Sequence, residues 1–338
     1  MNRRTGEALA LASLALLGAG LLVLGLGLGS ASIPWRQSVA VVLGEEAPAW
    51  VRTVLLQVRG PRVFLAFAIG ASLAAAGAAL QGVFKNPLAD PGVLGVSACG
   101  ALGAVLAIFV GAVGWSPATL PLAACAFALA GTLMIYGLAA RAGRLDAGAV
   151  VLAGVGVGSL ASAATALVIS LSLANYAIGA QILQWLMGGL DGRGWFHVRL
   201  ASPALLLGVL LIHAHRRDLD ALLLGDVHAL AVGVDVGAVR RRIILATSLI
   251  TGASVAVAGV IGFVGLVVPH LIRLTLGPSH RVLLPASTLL GGAFLVGADT
   301  LARRIIAPQE VQLGVITAAV GAPIFVHLLV REQRREER

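Results

Sequence analysis

The residue types that ordinarily do chemistry are few in this sequence, and their spacing suits little of it. The lone lysine, Lys85, is followed by Asn86, so there is no GxxxxGK[ST] loop to cradle a nucleotide phosphate. HExxH is absent, and the nearest approach to a nucleophile elbow, Gly95 to Cys99 (GVSAC), lacks the closing glycine. His213 and His215 have no third ligand within reach by sequence and read as interfacial histidines. Cys99 and Cys125 fall in different apolar runs, so they form neither a disulfide framework nor a spaced metal pair and read as small core residues. No catalytic residue and no metal ligand is expected. Asp299 and Arg303 lie four residues apart on one helical face near the end of an apolar run, as a helix ion pair or a proton relay would.

The elements that carry these residues are set by composition. Of 338 residues, 59% are hydrophobic and 12% charged, with mean hydropathy +0.97, which excludes a water-soluble domain of this size. A span needs about 20 apolar residues to cross roughly 30 Å of hydrocarbon, and in lipid only a helix pairs its own backbone. Ten such spans are predicted: 8–29, 62–83, 94–113, 118–140, 147–171, 199–215, 238–258, 260–276, 281–302 and 311–331. The seventh and eighth come from one apolar run, Ile243 to Ile272, which is expected to break near Gly259 and Gly262. The first follows Arg3 and Arg4 and is longer than a signal-peptide core, so it reads as a span rather than a cleaved leader.

Sixteen of the 24 basic residues, among them Lys85, Arg144, Arg216, Arg217, Arg240 to Arg242 and Arg338, fall on one side if both ends are cytoplasmic. The net charge of +9 thus reflects orientation and contact with anionic lipid, not nucleic-acid binding.

Two octets, GASLAAAG at 70–77 and GASVAVAG at 252–259, match at six of eight positions with an offset of 182 that also sets Pro87 on Pro269. An odd number of spans separates them, so they face opposite ways across the bilayer. This is the pattern of an inverted repeat, with halves at about 62–171 and 238–331 and broken helices expected near the two prolines. Close helix packing by small residues explains the same octets equally well.

Active transport by this chain needs an ion gradient or an external motor. The spans are nearly free of ionisable groups, which favours the motor over an ion-coupled secondary transporter. The cytoplasmic segment 216–235 offers it a seat: a helical run Asp218 to Leu224, then Gly225, then an amphipathic stretch through Val232 and Gly233.

Several motifs, in order, resemble the iron-siderophore, heme and cobalamin permeases of binding-protein-dependent ABC importers. They include Arg59-Gly60-Pro61-Arg62; Gln81 with Asn86-Pro87-Leu88-Ala89-Asp90-Pro91; Trp185 with Met187-Gly188-Gly189-Leu190; Leu224-Gly225-Asp226 with Ala229 and Gly233; Gly262-Phe263-Val264-Gly265-Leu266 with Pro269-His270; and Ala298-Asp299 with Arg303. The resemblance implies an all-α, cobalamin-permease-like fold of ten spans forming a single transmembrane domain over 1–338. It also implies a homodimer, two ATP-binding subunits that hold ATP and Mg, a periplasmic heme-binding protein and residence in the bacterial inner membrane. No cofactor is expected on this chain. Carried over by position, Arg59, Arg62 and Arg303 would dock the binding protein, and Asn86, Pro87 and Leu88 would form a cytoplasmic gate. Leu224, Gly225, Asp226, Ala229, Leu230 and Gly233 would couple to the ATPase. Gly60 and Val232 stand where the family usually has leucine. Met187 to Trp195 (MGGLDGRGW) looks most like the heme branch, with ferric siderophore or cobalamin as the other cargoes.

Overall fold

The computed structural model describes residues 3–29, 32–141 and 147–336; Arg144 and Arg338, invoked above for orientation, lie outside them. Fifteen α-helices are present among the described residues, with no strand beyond a single bridge between Ile306 and Gln309. Seven α-helical stretches are long and apolar enough to cross a membrane, and three shorter apolar helices, Val96–Phe109, Val264–Leu276 and Leu313–His327, complete the predicted ten.

In chain order, α1 (Arg3–Gly27) lies at the periphery. Two short helices, α2 (Trp35–Leu43) and α3 (Ala49–Thr53), lead through a π-helical turn at Val54–Arg59 into α4 (Gly60–Phe84), the most buried element. The chain continues through α5 (Val96–Phe109), α6 (Thr119–Arg141), α7 (Ala147–Ser172) and the short α8 (Tyr176–Leu186). Then come α9 (Trp195–Ala214), the surface helices α10 (Arg216–Leu223) and α11 (Asp226–Ala231), α12 (Val236–Ala258), α13 (Val264–Leu276), α14 (His280–Ala302) and α15 (Leu313–Glu336).

The core sits where α4 packs against α14, α12 and α13. Small residues permit it: a Cβ on Gly77 would stand 1.8 Å from the Gly265 carbonyl oxygen and one on Gly70 would stand 2.2 Å from that of Gly291, so two backbones run nearly in contact. Such approach gives the dispersion contacts that hold helices together in lipid, where apolar burial supplies no drive.

The octets sit on α4 and α12, which run antiparallel, since Lys85 at the end of α4 and Arg240 at the start of α12 share Asp226. Each long helix is followed by an irregular stretch and then a half-length helix. After α4 the chain turns at Lys85 (φ 49) and returns to the middle of α4, where Asp90 meets Gly265 and α5 begins. After α12 it breaks at Gly259 to Phe263 and α13 begins beside Leu73. Pro87 and Pro269 do not correspond: Pro87 lies in the first irregular stretch, whereas Pro269 lies inside α13, near enough its start that the missing amide costs little. The breaks fall at glycines of positive φ (Gly95 and Gly259), and proline is not what interrupts the second half.

Candidate functional site

At one pole, α4, α14, the segment before α15 and the end of α1 converge on a buried charge network. Arg62 binds Asp299 from both Nε and Nη2 at 2.9 Å and reaches Glu310 from Nη1 at 2.8 Å. Arg303 holds the other oxygen of Asp299 at 3.0 Å. The cationic surplus turns to α1: Arg303 donates to the carbonyls of Leu28 and Gly25, and Arg59 to those of Leu26 and Gly27, at 2.8 to 3.2 Å. Those carbonyls end a helix, lack intrahelical partners and carry its partial negative charge, so two guanidinium groups cap α1. Asp299 and Arg303 therefore form the helix pair that their spacing allowed, with Arg62 as a third member that the sequence did not announce. All three arginines are buried and engaged within this chain, and Arg304 is the exposed cation beside them.

The opposite pole is built on carboxylates. Asp226, first residue of α11, accepts from Lys85 Nζ at 3.0 Å and Arg240 Nη2 at 2.8 Å, and the hydrogen bond from Lys85 with these charges holds its pKa below the usual range. Asp220 on α10 accepts from the His280 backbone amide at 2.6 Å and its Nδ1 at 2.9 Å, and from Ser279 at 3.2 Å. Burial alone would raise the Asp220 pKa, and the His280 hydrogen bonds lower it. Asp220 thereby caps the N-terminus of α14. Asn86 Oδ1 accepts the Leu88 amide at 2.8 Å, an Asx turn that shapes the gate stretch, and Leu88 is exposed.

Within the coupling segment, Gly225 (φ 114) and Gly233 (φ 85) adopt conformations that favour glycine. Leu224, Val227, Leu230 and Val232 project as bare apolar side chains, with Val227 82% exposed. Ala229 is fully buried in this chain's own core, so its side chain is closed to a partner. Val227 was not singled out from the sequence, although Leu224, Val227 and Leu230 recur every third residue. His213 and His215 each bond the carbonyl four residues back.

Between the poles, Asp90 accepts the Gly92 amide at 2.7 Å beside a cavity just large enough for one water, lined also by Ser97, Thr251 and Ser254. Burial raises its pKa to about 6.

This arrangement defines a multi-spanning permease with a motor seat at one pole and a charged mouth at the other. The chain belongs to the FecCD transport family, whose description matches residues 15–331. It is 41% identical to the cobalamin import system permease protein of Halobacterium salinarum over 89% of this chain and 80% of that one. To the hemin transport system permease protein of Yersinia pestis it is 39% identical, over 84% and 85%. A solved structure described as a metal-chelate type ABC transporter in an inward-facing conformation superposes with TM-score 0.84 at 30% identity, covering 95% of this chain and 98% of the other. The chain is thus an ABC importer permease, a non-catalytic subunit whose ATP is hydrolysed by separate subunits.

Proposed function

We propose that this chain is the membrane passage of a binding-protein-dependent importer for a metal-bearing macrocycle. The observation that carries the reading is the coupling segment, whose exposed Leu224, Val227, Leu230 and Val232 form an apolar edge tied through Asp226 to the gate stretch that begins at Lys85. A motor gripping that edge pulls on the gate. Two copies meet along α7, where Gly156, Ser159, Ala163, Ala166 and Ser170 are exposed on one face at spacings of three and four. A periplasmic binding protein docks at the opposite pole through Arg59, Arg62 and Arg303, exchanging their internal partners for its carboxylates, with the half-exposed Glu310 the first to yield. The chain lies in the bacterial inner membrane with both ends in the cytoplasm.

Heme is the cargo favoured by the Met187 to Trp195 segment. Cobalamin is the second reading, favoured by relatives named for vitamin B12 import in three Vibrio species at 42–44% identity. Reconstitution with the ATPase and cognate binding protein decides it. Binding protein loaded with the true cargo is expected to raise ATP hydrolysis and drive uptake; uptake by the lone permease down an ion gradient would refute the reading.

A further inference from the structure

At the outer pole, two adjoining cavities of about 220 and 360 Å³ open between α8 and the segment that precedes α15. Either is too small for a whole macrocycle and large enough for groups on its rim. Their shared wall is rich in primary amides. Gln181, Gln184 and Trp185 project from one face of α8 at positions i, i+3 and i+4, Gln312 faces them, and Asp191 and Arg193 close the side. The backing is firm: the Gly189 amide donates to Ala258 O at 2.8 Å and the Gly314 amide to Met187 O at 3.1 Å.

Two donors here are unspent. The Trp185 indole N–H, on a side chain more than nine-tenths buried, has no hydrogen-bond partner among the described residues, and neither has Nε of Arg193. A buried donor without an acceptor costs about 1–3 kcal/mol, so an oxygen from elsewhere is called for. Charge decides which kind. Arg193 is offset by Asp191, and Arg62 in the second cavity already holds Asp299 and Glu310. An incoming carboxylate gains no net attraction and meets two carboxylates. A carboxamide fits both needs: its carbonyl accepts from Trp185 and Arg193, and its NH2 donates to Asp191 or a glutamine oxygen.

We propose that these cavities form a carboxamide-recognising subsite at the outer mouth, selecting chelates whose rim carries primary amides, as a corrinoid does, over those whose rim carries carboxylates, as heme does. The cargo half of this inference rests on the macrocycle-importer reading; the subsite itself does not.

The test uses the full-length chain in lipid nanodiscs with 15N-labelled tryptophan, the Trp185 indole resonance being the one lost in Trp185→Phe. Propionamide is expected to shift that resonance saturably, with sodium propionate binding about tenfold more weakly, and Gln184→Leu with Gln312→Leu is expected to weaken propionamide about tenfold. Absence of a saturable shift, or propionate binding as tightly, overturns the subsite whatever the chain transports. In the assembled importer the same double variant is expected to raise the half-saturating concentration of cobalamin-loaded binding protein severalfold at unchanged maximal rate. Transport of heme but not cobalamin by the unaltered importer overturns the cargo half and leaves the permease reading standing.

Discussion

Asp299 is fully buried between two guanidinium groups, and its contribution is conditional on them. Removing one member of a buried ion pair costs about 3–5 kcal/mol because the other charge is left unmatched. Asp299→Asn is therefore expected to lower the thermal midpoint of the detergent-solubilised permease sharply, whereas substitution at the exposed Arg304 leaves it nearly unchanged. Asp90 behaves the opposite way. Its folded-state pKa is raised to about 6, so its ionisation opposes folding: the cost is absent below about pH 4, grows as pH rises and is complete above about pH 6. Asp90→Asn keeps the acceptor for the Gly92 amide without the charge. A thermal-shift series should show the variant more stable by about 1–3 kcal/mol at pH 7.5, with the gain gone by pH 4. The arginine at 62 and the aspartate at 299 were separately visible in the sequence. Their meeting was not, because 237 residues separate them and no local pattern encodes it.

At the level of elements, the coupling segment separates stability from coupling. The Lys85–Asp226 pair is about 40% exposed on both sides, and pairs of that kind contribute no more than about 1 kcal/mol. Asp226→Ala should thus leave thermal stability almost intact yet reduce the ratio of cargo-stimulated to basal ATP hydrolysis; an unaltered ratio would remove Asp226 from the coupling path. Val227→Asp with Leu230→Asp is expected to release the ATPase in a pull-down with the permease still folded. Ala229→Asp instead places a charge in the core and should unfold the segment. Sequence pattern located the helix, its flanking glycines and its exposed leucines. It could not show which way Ala229 points, because a small residue fits either face. The break in the seventh and eighth spans was legible because Gly259 and Gly262 interrupt a run too long for one helix. The short α2, α3 and α8 were not, since none is long enough to leave a hydropathy signal of its own.

At the scale of the whole molecule, the two poles carry different jobs and the antiparallel α4 and α12 join them. Ten spans put both ends of the chain on one side, and reporter tags at the two ends should both respond as cytoplasmic; opposite responses would break the assignment of Arg59 and Lys85 to opposite faces. The number and place of the spans could be read from composition alone, because lipid leaves the backbone no other option. The half-length of α5 and α13 could not, since it follows from Asp90 and Gly265 meeting midway along α4, a tertiary fact.

The carbonyls that end α1 wait for donors that the ribosome makes much later, with Arg303 lying 275 residues beyond Leu28. During synthesis the first span therefore sits in the bilayer unfastened, its last turn held by nothing but lipid and water, until nine-tenths of the polypeptide has emerged. A chain cut short before α14 would keep that loose end permanently, and a membrane protease that tests for loose ends could tell an unfinished permease from a finished one.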